Sequence, residues 1–180
     1  MQLFYNSTID KNTLQITFDK IESRHIVKVL RKKEGDAIYI TNGKGQVFNC
    51  KITIANDKKC LVSIFGKEEK KQFKDYYLHV AIAPTKNNDR LEWFIEKATE
   101  IGIDEITPII CQNSERKIIK KERLEKIIVA AMKQSLKFYL PKLNEAVSFS
   151  EFLKKKQKGN IYIAHCEESE KKYLKSVVKP

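Results

Sequence analysis

The rhythm of apolar residues changes near residue 75, and that change constrains the fold more than any other feature of the chain. Up to Phe65 the apolar residues come in short runs of β-branched and aromatic side chains: LFY (3–5), LQITF (14–18), AIYIT (37–41), QVFNCKITIA (46–55) and CLVSIF (60–65). EGD, NGKG and NDKK punctuate them as turns. In the fourth run Val47, Asn49, Lys51 and Thr53 alternate with Phe48, Cys50, Ile52 and Ile54, which gives one wet and one dry face. One helix, from about Ile21 to Arg31, interrupts the strands. It turns Ile26, Val29 and Leu30 inward and Arg24, Lys28, Arg31 and Lys32 outward. Short strands of this kind close most economically into a small barrel, which removes exposed edges.

GKEEKKQFKD (66–75) reads as a linker, and strands then alternate with helices. LHVAIAP (78–84) is a nearly continuous apolar run, as expected of a strand buried on both faces. Asp89 and Glu92 form a D-x-x-E helix start. Leu91, Phe94, Ile95, Ala98 and Ile101 follow at helical spacing, and Gly102 stops the helix. IDEITPII (103–110) is the next strand. A long amphipathic helix follows with Leu124, Ile127, Ile128, Ala131 and Ser135 on one side, ending before Pro141. SFSEFLKKK (148–156) opens with an S-x-x-E cap, IYIAH (161–165) reads as a third buried strand, and a helix spans about Tyr173 to Val178. Strand alternating with helix implies βαβ units and a parallel sheet, here with few strands for a sheet covered on both faces.

The 35 Lys and Arg against 23 Asp and Glu leave a net charge of +12. Residues 1–74 hold 15 basic and 8 acidic side chains against 20 and 15 in the rest, so positive charge is denser at the start. Such a field suits a polyanion such as nucleic acid, and equally a solvated lysine-rich skin. Within it Lys28, Arg31, Lys32 and Lys33 form a run, with Lys44 in the following turn. The four cysteines stand far apart, the three histidines give no metal-ligand spacing, and no signal peptide or membrane span is legible. The expectation is a cytoplasmic protein with reduced thiols and no metal.

Ligands of open parallel sheets gather beyond the carboxyl ends of the strands. That rule nominates Pro84-Thr85-Lys86, then Cys111 to Arg116, then His165-Cys166-Glu167. No glycine-rich phosphate loop is present. On the residues alone His165 reads as a surface histidine and Glu92, Glu96 and Glu100 as a solvated helix face. Trp93 reads as packing, and Arg116 beside Glu115 as a surface ion pair.

Four segments carry a family resemblance. HIVKVLRKKEGDAIYITNGKGQVF, LEWFIEKATEIGIDEITPII, NSERKIIK and AAMKQSLKFYLPKL resemble, in this order, segments of the ribosomal RNA small subunit methyltransferase E family. The family methylates N3 of a uridine in 16S rRNA. The resemblance implies an α+β two-domain chain. Residues 1–70 would form a PUA-like RNA-binding β-barrel. Residues 76–180 would form an α/β SPOUT methyltransferase domain, a class that forms homodimers and ties a C-terminal trefoil knot around S-adenosylmethionine. The implied partner is 16S rRNA in the small ribosomal subunit. Arg24, Lys28, Arg31, Lys32, Lys33 and Lys44 would then grip RNA phosphates. His165, Cys166 and Glu167 would supply the first cofactor loop. Arg116 and Lys137 would stabilise charge on the target uridine.

Two departures qualify the match. Leu136 and Lys137 stand where the family usually has glycine and arginine, which keeps charge but loses a bidentate fork. The family's G-P-E-G-G loop and L-R-x-E-T-A segment have no counterpart in this sequence. The domain is therefore expected to lack its knot segment here, and the chain alone to bind S-adenosylmethionine weakly. The rival reading is a non-catalytic basic RNA-binding protein that retains a relic methyltransferase domain.

Overall fold

The computed structural model describes every residue except 73, 156–157, 165–167, 169 and 179–180. The first unit is one five-stranded sheet. Strand β1 (Leu3–Tyr5) runs parallel to β3 (Ala37–Thr41), and β3 pairs antiparallel with β4 (Gln46–Ile54). β4 pairs with β5 (Leu61–Glu69), and β5 with β2 (Gln15–Thr17), in the order β1-β3-β4-β5-β2. The end strands share no ladder among the described residues. Even so, Phe4 of β1 and Phe18 just after β2 bring their ring centroids to 5.5 Å. The sheet therefore curls until its edges meet across one core, and side chains rather than a closed ladder complete the barrel. Ile26, Ile38, Ile40, Cys50 and Val62 have no exposed surface in that core.

Helix α1 (Lys20–Arg24) plugs the opening, with the Asp19 carboxylate accepting from the Glu22 amide at its start. Ser23 stitches it in place: its hydroxyl donates to the Phe18 carbonyl and accepts from the Cys60 amide. The helix then widens into one π turn, His25–Val29. The extra residue in the turn rotates the later side chains about the helix axis, so Val29, expected inside, is 67% exposed while Ile26 stays in the core. The segment expected to be a linker begins inside β5, which runs on to Glu69.

The second unit alternates β6 (His79–Ile82), α2 (Asn88–Ile101), β7 (Glu105–Ile110) and α3 (Lys121–Gln134). Two short strands follow, β8 (Lys142–Leu143) and β9 (Val147–Ser148), and then helices α4 (Phe149–Lys154) and α5 (Leu174–Val177). β6, β8 and β9 all pair parallel with β7. One face of the sheet packs on α2 and α3 through Leu91, Ile95, Ile106, Leu124 and Ile128.

Several expectations are corrected here. IYIA forms no strand among the described residues: residues 161–164 make no ladder, and Ile161 and Ile163 are 59% and 65% exposed. β6 is only half-buried along its length, because the helices cover one face and polar side chains occupy the other. The N-cap of α2 is Asn87, whose side chain accepts from the Asp89 amide, and not Asp89. Glu92 is freed for a two-pronged pair with the Arg123 guanidinium of α3, at 2.7 and 2.9 Å. Ile101 is 78% exposed. It lies about 120° round the helix from the centre of the stripe that buries Leu91, Ile95 and Thr99. The capping box at Ser148 and Glu151 is present as read.

The NGKG turn between β3 and β4 joins the units. The Gly45 amide donates to the Phe138 carbonyl, and the Leu140 amide to the Gly43 carbonyl, each at 2.8 Å. Lys44 thereby bridges antiparallel to Tyr139. Both glycines have positive φ, and a Cβ on Gly45 would collide with the Tyr139 hydroxyl. Beside this contact the Lys133 ammonium meets Glu22 of α1 at 2.7 Å and lies over the Phe4 ring.

Candidate active site and nucleic-acid interface

The parallel strands fix where chemistry gathers. The chain leaves the carboxyl end of β6 through Pro84-Thr85-Lys86 and that of β7 through Cys111 to Lys120. Two contacts tie these loops together, and in the first an Arg116 Nη donates to the Lys86 carbonyl at 3.2 Å. Lys86 and Glu115 form an ion pair at 3.2 Å beside it. The Ser114 hydroxyl accepts from the Cys111 amide, and the Ser114 amide donates to the Cys111 carbonyl, which folds the second loop back on itself. Lys86, Glu115, Arg116, Lys117 and Ile118 line a cleft of about 270 Å³. Three cations against one carboxylate give it a positive floor. A guanidinium has five N–H donors, and the Lys86 carbonyl takes one of them, so Arg116 keeps donors for an anionic or carbonyl-bearing ligand.

The third nominated loop, His165-Cys166-Glu167, lies outside the described residues. Lys137 lies elsewhere. α3 starts after the carboxyl-end loops and runs 14 residues, about 21 Å, to the opposite end of the strands. There it ends in a Schellman turn: the Leu136 amide donates to Lys133 O and the Lys137 amide to Met132 O. The next residues lead into β8, which pairs with Glu105, the first residue of β7. Arg116 and Lys137 thus occupy opposite ends of the sheet, and the fold does not bring them together within one chain. The glycine that the resemblance expects at position 136 has a physical reason. Leu136 has φ +53°, the left-handed conformation that glycine adopts freely.

The basic residues also separate into two places. Arg24, Lys28, Arg31 and Lys33 are exposed and Lys32 half-buried, around the π turn and the loop after it. Lys28 has Asp57 at 3.9 Å with both side chains largely in solvent, a pair worth little. Arg31 ends the π turn at φ +53°, and the Asp36 carboxylate accepts from the Lys33 amide. Lys44 is exposed at the other end of the β3–β4 hairpin, about five residues or 17 Å along the strands, against the second unit. It does not join the run that precedes it in sequence.

One polar cluster was not legible in the sequence. On the sheet face opposite α2 and α3, His79 meets the Thr107 hydroxyl at 2.7 Å, and Asn144 Nδ2 donates to both Thr107 and Glu105. Tyr77 and Lys142 donate to the same Glu105 carboxylate. Burial alone would raise its pKa, but these donors outweigh it and pull the carboxyl down to about 2. Burial lowers the pKa of His79, whose ring packs edge-on against Phe152 of α4. Only the isolated His79 and the strand pattern were visible beforehand, and neither predicts a partner as distant as Asn144.

No metal-ligand cluster of three or more side chains exists among the described residues, and no described helix is long and apolar enough to cross a membrane. Comparison with known proteins gives these parts a family. A model of the RNA methyltransferase PUA domain matches residues 18–65, and one of the RNA methyltransferase domain matches residues 71–179. The ribosomal RNA small subunit methyltransferase E of Bacillus subtilis is 30% identical over 88% of this chain and 63% of its own length. That of Rickettsia conorii is 30% identical over 97% of this chain and 70% of its own. The crystal structure of a probable rRNA-methyltransferase from Porphyromonas gingivalis superposes with TM-score 0.81 at 36% identity, over 92% of this chain and 70% of that one. A Neisseria gonorrhoeae ribosomal RNA small subunit methyltransferase E, crystallised bound to S-adenosyl methionine, shares the fold at TM-score 0.78 and 19% identity, over 88% of this chain and 67% of that one. The chain thus spans about two thirds of the length of these relatives. With a PUA-like unit, a parallel-sheet unit and relatives matched across both, it belongs to the ribosomal RNA small subunit methyltransferase E family.

Proposed function

We propose that this chain is part of an S-adenosylmethionine-dependent enzyme that methylates N3 of a uridine in 16S rRNA, acting on the small ribosomal subunit in the cytoplasm. Residues 1–70 bind RNA and residues 76–180 belong to the SPOUT methyltransferase unit, which works as a homodimer in the full-length protein. The observation that carries the reading is the cationic cleft at the carboxyl ends of β6 and β7, with Arg116 held by the Lys86 carbonyl. When bound, S-adenosylmethionine supplies an activated methyl group. The described cleft does not suit the sulfonium end of that molecule: its lining is mostly cationic and its volume small. It suits the substrate side. The resemblance assigns the cofactor to His165, Cys166 and Glu167, outside the described residues.

Uridine N3 becomes nucleophilic on losing its proton to solvent, and the negative charge then spreads over N3 and the two ring carbonyl oxygens. A fixed guanidinium beside those oxygens lowers the cost of the anion. Arg116 has that role in this proposal, and its bond to Lys86 holds the group still. Lys137, at the far end of the sheet, reaches the same base only if a second copy presents it. The exposed Arg24, Lys28, Arg31, Lys32 and Lys33 hold RNA phosphates, with Lys44 as a separate contact beside the junction.

The test uses a protein spanning the relatives' full length, small subunits lacking the modification, and mass spectrometry of 3-methyluridine. Arg116→Ala is expected to slow methyl transfer by a factor of about 10², with Arg116→Lys recovering part of it. Parental turnover by Arg116→Ala removes Arg116 from the mechanism. No 3-methyluridine from the parent protein favours the non-catalytic RNA-binding reading. Separately, changing Arg31, Lys32 and Lys33 to Ala is expected to flatten the log K against log salt slope for single-stranded RNA by about two units.

A further inference from the structure

The outer face of the first sheet carries an aromatic surface that its packing does not require. In β5 the ladder to β4 skips a residue: Cys50 pairs with Ile64 and Asn49 with Gly66, so Phe65 is the extra residue of a β-bulge. The bulge aims it outward, and the ring is 67% exposed. Its neighbour Ile64 packs against the core instead, and the Ile64 amide donates to the Leu14 carbonyl. Across β4 the row continues through Asn49 to the half-buried Tyr39 of β3, since Tyr39 pairs with Asn49 and Asn49 with Gly66. Gly66, next in the bulge, adds no side chain beside the Phe65 ring. The Asn49 amide donates to Glu68 at 3.5 Å, while its Oδ1 has no partner.

The charge around this surface selects the occupant. Lys51 lies one outward position along β4 from Asn49, and its Cε passes over Gly35, two residues from Lys33. Lys51 thus links the aromatic surface to the loop that carries the basic run. The carboxylate at its rim, Glu68, is paired with Lys70 at 2.5 Å. Polyanion contacts beside a flat, exposed π-face are what an unpaired nucleotide needs: phosphates on the cations and a base on the ring.

We infer that Phe65 is a stacking residue for an unpaired nucleobase, with Tyr39 bordering the base and Lys51 holding its phosphate. The inference rests on the RNA-binding reading above. It adds a place where the first unit grips the base and not only the backbone, and that contact tolerates any base because every base has a π-face.

The experiment uses the 180-residue chain and fluorescence anisotropy with two labelled probes of equal charge. One is a single-stranded oligouridine, the other an abasic ribose-phosphate strand of the same length. The parent is expected to prefer the oligouridine. Phe65→Ala is expected to weaken oligouridine binding roughly tenfold and to leave the abasic strand unchanged. Phe65→Trp should hold the parental affinity. Phe65→Leu keeps an apolar side chain without a π-face and should behave as the Ala variant, so that a folding defect in one is checked by the other. The Arg31, Lys32 and Lys33 triple variant should lose both probes alike. Equal oligouridine binding by parent, Ala and Leu variants overturns the stacking role while the triple variant still upholds RNA binding. A parent that binds neither probe overturns both readings. A parent that binds the two probes equally overturns stacking alone.

Discussion

AIYIT at 37–41 and IYIA at 161–164 use nearly the same letters and reach opposite ends. The first is β3, flanked by β1 and β4, with Ile38 and Ile40 wholly buried. The second makes no ladder among the described residues and leaves Ile161, Tyr162 and Ile163 exposed. Intrinsic preference cannot separate them. β-propensity measures how well side chains fit a pleated, half-buried surface, and that surface is made by neighbours. In the first unit the curled sheet supplies neighbours on both edges and a plug beneath. In the second, the sheet is covered by α2 and α3 on one face and held on the other by hydrogen bonds around Glu105. A strand is thus a property of its partners.

The largest test sets the two runs against each other. Ile40→Ala should cost about 4 kcal/mol, as a fully buried isoleucine opens a cavity in a core that cannot collapse around it. Ile163→Ala should fall within about 0.5 kcal/mol of the parent, as exposed positions do. Urea unfolding measures both. A comparable loss at Ile163 would show that residues 161–164 are packed in solution, and the contrast would dissolve.

The second test breaks the hydrogen-bonded face. Glu105 titrates at about 2 when folded against an ordinary 4.5. A depressed carboxylate contributes stability above its unfolded pKa and loses it as pH falls through the folded one. The window here runs from about 4.5 down to about 2, and the contribution at neutral pH is about 3 kcal/mol. Glu105→Gln should remove much of that at pH 7 and flatten the acid limb. His79 adds in the same direction: its lowered pKa means the unfolded state takes up a proton first as pH falls below 6.5. Far-UV circular dichroism follows the unfolding, since Trp93, the only tryptophan, is already 63% exposed in the folded chain. An acid limb that survives in Glu105→Gln would move the titration to other carboxylates.

Local pattern was sufficient where a residue's role is set by its own segment. The dry face of β4 as far as Ile52, the stripe of α3 and the capping box at Ser148 stood in the sequence as they stand in the fold. Val47, by contrast, is buried on the face read as wet, and Ile54 and, in α2, Ile101 are exposed on faces read as dry. Periodicity names a face but not what lies across it. It could not show that Glu92 meets Arg123 on another helix, or that Lys44 leaves the basic run for the junction with Tyr139. The π turn defeated it at Val29, because one extra residue breaks the 3.6 period. The carboxyl-end rule placed the Arg116 cleft, since it depends only on strand direction. The separation of Lys137 from that cleft depends on the direction of α3 through the assembled sheet, which no local window contains.

The third test concerns NGKG, which reads as an ordinary hairpin turn and serves as a docking surface. Gly45→Ala should cost about 2 kcal/mol, from a positive φ and from the collision with Tyr139. Tyr139→Ala in the same chain should return only the collision's share, because the backbone conformation is unchanged. Additive losses in that double variant, measured by thermal unfolding, would mean the two residues do not touch in solution.

The smallest effect is the sharpest, because its sign is reversed from the usual order. Inside a helix glycine is about 1 kcal/mol worse than alanine. Leu136 lies one residue past the end of α3, at φ +53°, with its amide and that of Lys137 closing a Schellman turn on Lys133 and Met132. Any side chain there bears a left-handed penalty of about 1 kcal/mol or more that glycine escapes. Leu136 itself recovers part of this by packing, since it is only 40% exposed. Leu136→Ala loses that packing and keeps the penalty, so it should be the least stable of the three. Leu136→Gly loses the packing and the penalty together. Glycine should therefore exceed alanine at this position by about 1 kcal/mol, although the unfolded chain gains freedom from glycine. Thermal unfolding of the two variants side by side decides it. Alanine equal to or above glycine would mean that the turn after α3 adopts another conformation in solution, and the geometric reason for a leucine under strain at the family's glycine position would be lost.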